Sequence, residues 1–256
     1  MKSTIKPLLL GCLLFAGYFS NAQDAAGIKN NVKGNIIKIN LSSLLFKNGS
    51  FQYERVVKRN LSLGLGVSFL PKTGLPFAGT LQDEFGTNAD AKRAIETTQL
   101  SNFSVTPEIR FYMGKKGAPA GFYLAPFARY QHLNFNQVYE FTPSNGKVHH
   151  PTISGTINNI GAGLLLGTQW NLSNTLTLDW WIAGPIIGTS KGNLVGRDDM
   201  TDLSAADRQK LKNDIEAVDI PLTKIEANVG NNQIDVNLSG PYAGIRAFGL
   251  ALGIKF

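Results

Sequence analysis

The chain has 256 residues, a formal net charge of +7, 43% hydrophobic and 17% charged residues, and a single cysteine, Cys12. That length suits one domain, either a large barrel or a sandwich. One cysteine excludes a disulfide framework and a Cys-based metal site. No extended basic run marks a nucleic-acid surface.

Lys2 and Lys6 precede an apolar run over 7–19, and "SNAQ" comes next, with Ser20 and Ala22 at small-residue positions. This is the pattern of a secretory signal peptide over 1–22, cleaved after Ala22. "LLGC" at 9–12 resembles a lipoprotein box, but the apolar run before Cys12 is short and continues beyond it. Cleavage would remove the only cysteine. In an exported chain the basic balance suits outer-membrane lipid and lipopolysaccharide head groups, or solubility alone. Residues 23–33 are expected to form a short N-terminal periplasmic segment. No later stretch reaches the roughly 18 apolar residues of a transmembrane helix.

From there on the pattern alternates with period two, the mark of strands whose two faces meet different media. Strands are predicted near 34–45, 50–58, 60–70, 101–113, 121–137, 155–170, 174–187 and 241–256. In "NLSLGLGVSFLP", Leu61, Leu63, Leu65, Val67 and Phe69 share one face, and Ser62, Gly64, Gly66 and Ser68 the other. In "SNFSVTPEIRFYM", Phe103, Val105, Ile109, Phe111 and Met113 oppose Ser104, Thr106, Glu108, Arg110 and Tyr112. Leu176, Leu178, Trp180 and Ile182 oppose Thr175, Thr177, Asp179 and Trp181.

The connections alternate too. Those near 58–60, 114–120 and 171–174 are short, whereas 71–100, 138–154 and 188–240 are long and polar. A chain that crosses a membrane repeatedly, with tight turns on one side and large loops on the other, has this rhythm. Within 188–240, Ser204 and Asp207 resemble a capping box, and Leu211, Ile215 and Val218 recur at helical spacing. A helix near 204–218 is expected, then a hairpin near 222–238 standing outside the barrel. A lid over the mouth would bury those three residues against 71–100. A shorter helix is expected near 89–97.

The fold expected is therefore all-β: an eight-stranded antiparallel up-and-down transmembrane β-barrel over 34–256, with long extracellular loops. The polar phase carries Lys38, Glu54, Glu108, Arg110, Arg129 and Asp179, predicted to form a charge network in the lumen, where buried charges need partners. Inward glycines are expected to admit the long arms of Arg110 and Arg129. Aromatics near the periplasmic ends (Phe111, Tyr112, Phe122, Tyr123, Trp170, Phe256) fit a boundary girdle. Arg55 and Arg246 fall in the apolar phase, so each lies beyond the hydrocarbon or comes after a bulge.

The last strand places Phe248, Leu250, Leu252, Ile254 and the terminal Phe256 in one phase. This resembles the assembly signal of bacterial outer-membrane barrels, which implies the barrel-assembly machinery as a partner; the signal's usual internal glycine falls at Ala251. "NIIKINLSSLLFKNGSFQYERVVKRNLSLGLGVSF" and "GPYAGIRAFGLALGIKF" resemble the first and last strands of a family of small outer-membrane barrels from Bacteroidota whose function is unknown. The resemblance covers both ends of the mature chain. It implies location and membership and supplies no catalytic motif.

Little else carries chemistry. His132 lies in the lipid-facing phase with no neighbouring serine, so a Ser–His lipid hydrolase lacks its nucleophile. His149 and His150 are adjacent and would point oppositely in a strand; no metal site is expected. "GAGLLLG" at 161–167 lacks the Lys-Ser/Thr ending of a phosphate loop. No cofactor is expected. The expected function is a non-enzymatic, monomeric outer-membrane barrel with a structural, ligand-binding or adhesion role. A lipid-modifying enzyme, a small diffusion channel and a secreted soluble barrel are the alternatives.

Overall fold

The computed structural model describes residues 34–85, 89–218 and 222–256; the expected signal peptide over 1–22 and the expected periplasmic segment 23–33 lie outside the described residues. Eleven strands and four helices run in chain order: β1 (Asn35–Asn40), α1 (Leu41–Leu44), β2 (Gly49–Lys58), β3 (Leu61–Gly74), α2 (Ala78–Phe85), α3 (Ala89–Thr97), β4 (Gln99–Tyr112), β5 (Gly121–Val138), β6 (Thr152–Asn171), β7 (Leu176–Ala183), β8 (Pro185–Arg197), α4 (Ala205–Glu216), β9 (Lys224–Val229), β10 (Gln233–Ile245) and β11 (Gly249–Lys255). No helix among the described residues is long and apolar enough to cross a membrane.

Every pairing is antiparallel. β1 to β7 pair in sequence, β7 pairs with β11, and β11 returns to β1, closing a ring of eight. β8 continues the line of β7 along β6, and β10 continues that of β11 along β8. The two breaks face each other, since Arg246 N donates to Gly184 O at 2.8 Å. Each break shifts the side-chain phase by one: Asp179 and Trp181 face inward from β7 but Ile186 from β8, and Ala251 faces inward from β11 but Val236 from β10. A one-residue slip reverses every later side chain.

The connections sort by end. Residues 59–60, 113–120 and 172–175 turn at the terminal end, where the start of β1 meets the residue after β11, Phe256 N donating to Asn35 O at 2.9 Å. Residues 41–48 and 139–151, and the described residues of 75–98 and 198–232, lie at the other, the loop end. The walls are uneven. β6, with 20 residues, runs about 65 Å at ~3.3 Å per residue, against about 20 Å for the six residues of β1.

Three expectations need correction. The first strand stops at Asn40 rather than 45, because the Asn40 side chain accepts from Ser43 N (3.2 Å) and caps α1. The excursion over 188–240 shrinks to 198–232, because the flanking strands continue far above the ring. The hairpin of β9 and β10 is no appendage: β10 pairs with β8 along its whole length and belongs to the wall. The expected helices are found at α3 and α4, and α2 is additional.

The outer surface carries an apolar belt. On β5 the outward residues Phe122, Leu124, Pro126, Ala128 and Tyr130 span nine positions, and His132, Asn134 and Asn136 come after them. On β6, Asn158, Thr156 and Ser154 lie above the exposed Ile160, and on β10 Ser239, Asn237 and Asp235 lie above Pro241. The boundaries on the three strands follow one another along the pairing, since Tyr130 pairs with Ile160, Ile160 with Thr189 and Thr189 with Pro241. Below this line the outside is apolar, and the inside holds buried charges beside an apolar group of Ala125, Phe127, Leu165, Trp181 and Ile186. Above it the outside is polar, and Ile153, Leu194, Ile234 and Val236 face inward.

Candidate functional site

Below the line the lumen holds, beside that apolar group, a neutral cluster of three cations and three carboxylates. Lys38, on β1, places Nζ 2.5 Å from Glu54 and 2.7 Å from Asp179. Arg110, on β4, reaches Glu108 with Nε (2.5 Å) and Asp179 with Nη1 (2.7 Å), and Nη2 donates to Gln52 at 2.8 Å. Arg246 completes the set on Glu108 at 2.5 Å. Spare lone pairs are also used: Tyr112 and Ser62 donate to Glu54, and Tyr123 and Trp181 to Asp179. Burying six charges is tolerable only with this degree of pairing.

The structure thus brings together Lys38, Glu54, Glu108, Arg110 and Asp179. It leaves Arg129 outside: its Nε donates to Thr106 Oγ1 at 3.1 Å, one level nearer the loop end. Arg246 takes the expected place of Arg129, because the break at 246–248, where Phe248 has φ 55°, turns it inward. Its guanidinium also lies 3.9 Å from the Trp181 ring centroid, a cation–π contact. Arg55 stays outside at the terminal end, donating to Asn35 (2.7 Å). Tyr112 and Tyr123 are not girdle residues; both are buried inside, 5.3 Å apart between ring centroids.

The inward glycines mostly make room for rings and carboxylate stems rather than for arginine arms. A Cβ at Gly167 would meet the Tyr123 ring at 2.4 Å, one at Gly163 the Phe127 ring at 2.6 Å, one at Gly249 Trp181 at 2.3 Å and one at Gly64 Glu108 at 2.7 Å. The result is a tight interior. A gap of about 10 Å³ lies between Ser68, Thr106, Arg129 and Arg246, room for at most one water.

Above the line the inward face becomes an apolar chamber. α4 starts at Ser204, whose side chain accepts from Asp207 N, and buries Leu211 with Met200, Leu203, Ala227, Ile234 and Val236. It packs on the β9–β10 hairpin. Glu216 fixes it there, accepting from Ala227 N at 2.9 Å. The connection 139–151 is tied to the same cap. Ser144 donates to Asp207, whose carboxyl is held down at about 2 by hydrogen bonds from Ser204 and Ser144. Lys147 pairs with Asp202 at 3.2 Å.

Between α3 and α4 this chamber opens into a cleft of about 510 Å³, within the range of small-molecule sites. Phe135, Ile153, Leu194, Val236 and Leu238 form its floor; Ile215 and Val218 face Arg93 and Ala94 across it. Of the three residues expected under a lid, Leu211 is buried in the cap's own core, Ile215 is partly buried and Val218 is exposed.

Each of the three histidines has a polar side-chain neighbour. His149 is buried, stacked on Phe141 with centroids 5.1 Å apart, and its Nδ1 lies 3.2 Å from Asp198. His150 points outward, 3.5 Å from Glu140. His132 Nδ1 meets Asn158 Oδ1 at 2.7 Å.

Residues 9–188 match the model of the family described as "Protein of unknown function (DUF3575)". The chain belongs to this family. No curated protein and no solved structure matches it. The DUF3575 match spans β1 to the start of β8, and so holds Lys38, Glu54, Glu108, Arg110 and Asp179; Arg246, α4 and the β9–β10 hairpin lie beyond it.

Gln52, Gln169, Tyr112, Tyr123, Trp181 and Arg246 belong to the lumen cluster but were not among the six charges read from the sequence. The first five sit in the polar phase of their strands and were findable by it. Arg246 carried only its misfit as a signal.

Proposed function

We propose that this DUF3575 chain is a non-enzymatic β-barrel of the bacterial outer membrane, of the Bacteroidota type, that binds a ligand with its extracellular loop end. The observation that carries the reading is the apolar outer belt, which gives way to polar outward residues along one line across β5, β6 and β10. Nine positions of apolar outward side chain on β5 match the 9–11 residues a tilted strand needs to cross hydrocarbon, and nothing in a soluble barrel requires such a belt. The signal peptide and the sorted loops support the same placement. Lipid and lipopolysaccharide are the surroundings, and the barrel-assembly machinery reads the outward row Phe248, Leu250, Leu252, Ile254 and Phe256. A closed ring without a free lumen wall suits a monomer.

The rivals find less support. A diffusion channel needs a continuous gap, and the lumen cluster fills it. A Ser–His hydrolase needs a serine where His132 meets Asn158.

Single cysteines test the placement, since the mature chain has none. An impermeant maleimide should label Lys210→Cys, on α4, in intact cells, and Lys116→Cys, on a short turn, only after permeabilisation. The extracted protein should show heat-modifiable electrophoretic migration. Labelling of both, or of neither, in intact cells would overturn the topology.

A further inference from the structure

The cleft between α3 and α4 has a one-sided charge. Of its lining residues only Arg93, Glu140 and Asp214 are ionic. Arg93 is paired with Glu140, which also lies 3.5 Å from His150. Asp214 has no hydrogen bond or ion pair among the described residues. It stands on α4 one position before Ile215, at the edge of the apolar floor. An apolar pocket with one unspent carboxylate at its rim is complementary to an apolar body that ends in a cation. A ligand carboxylate would have to displace Glu140 from Arg93 and would meet Asp214 as a like charge.

We infer that the cleft binds a small amphiphile with a single apolar chain or ring body and one amine head, the body on Phe135, Ile153, Leu194, Val236 and Leu238, and the head at Asp214. This deepens the reading of the loop end as a ligand-binding face and rests on it. The ligand meets the site above the apolar belt, where the outer wall is polar. It enters from water or from the head-group layer rather than through the barrel, whose lumen is closed.

The test uses the full mature chain in lipid nanodiscs, titrated calorimetrically with octylamine, octanol and octanoate, with empty nanodiscs subtracted. Octylamine should bind saturably at one site, octanol more weakly and octanoate least. Asp214→Asn should weaken octylamine about three- to fivefold, the range of an exposed ion pair, and leave octanol unchanged. Val236→Trp fills the floor and should abolish binding of all three; Ile215→Trp fills it from the helix side and covers the case in which Val236→Trp fails to fold.

Absence of saturable binding to protein that keeps heat-modifiable migration overturns the site. Equal affinity for all three head groups, or tightest binding of octanoate, overturns the role of Asp214. Protein that never enters nanodiscs, or lacks heat-modifiable migration, overturns the membrane reading beneath it, and the two failures are thereby told apart.

Discussion

Arg110 and Asp179, 69 residues apart in sequence, meet across the lumen with Nη1 2.7 Å from Oδ2, both side chains wholly buried. Their contact joins β4 to β7, which stand three strands apart in the ring and share no backbone pairing. Removing one partner leaves an uncompensated buried charge, at a cost of about 3–5 kcal/mol. Arg110→Met and Asp179→Asn should each lower the midpoint of urea unfolding from vesicles by that order. The double variant should lose clearly less than the sum, because neutrality is restored. Additive losses would show that the pair is not coupled.

The belt makes a positional prediction. Leu65 is outward and within it; Asn237 is outward but above the line. A cation at the lipid midplane costs about 2–4 kcal/mol and near or beyond the interface little. Leu65→Arg should therefore slow insertion and lower stability in bilayers, while Asn237→Arg should leave both unchanged. Equal effects in folding assays with vesicles would contradict the line drawn at Tyr130 and Ile160.

Glycine substitutions separate packed from open positions. A Cβ at Gly163 would lie 2.3 Å from Pro185 O, a backbone atom that cannot move aside, whereas one at Gly66 finds nothing nearer than 3.6 Å. Gly163→Ala should cost about 1–3 kcal/mol, the usual penalty of overpacking. Gly66→Ala should be neutral within error of the same unfolding measurement.

The cap should respond to acid through Asp207. Its carboxyl titrates near 2, below its ordinary value of 3.8, because Ser204 and Ser144 donate to the charged form. A depressed folded value means that the stabilisation is fully present above the ordinary carboxylate range and is lost as pH falls toward 2. Ser144→Ala should move the titration of Asp207 upward, as tracked by carboxyl-carbon NMR. It should also speed amide exchange in 139–151 at neutral pH. An unchanged titration would mean that Ser144 does not hold the carboxylate in solution.

Period-two alternation by itself determined the ring. Once Leu61 to Phe69 and Phe103 to Met113 are phased against Ser, Thr and charged residues, each strand's two faces are fixed by covalent geometry, and the loop lengths sort the ends. The same count placed Lys38, Glu54, Glu108, Arg110 and Asp179 on one inner surface, because residues two apart on a strand share a face. Phase across a break was beyond its reach. Gly184 and residues 246–248 each shift the count by one. The first shift sets Trp181 out of phase with β8, and the second turns Arg246 inward against the phase of β11. Together they let β8 and β10 extend the wall where an excursion was expected. Nor could alternation rank inward partners. Arg246 rather than Arg129 meets Glu108, because which arm reaches a carboxylate depends on its height on the neighbouring strand, a property of register and of the whole closed ring. The cleft belongs wholly to the tertiary structure. Its walls come from α3, β5, β6, β8, β10 and α4, and Asp214 gains its meaning only from the apolar floor folded beneath it.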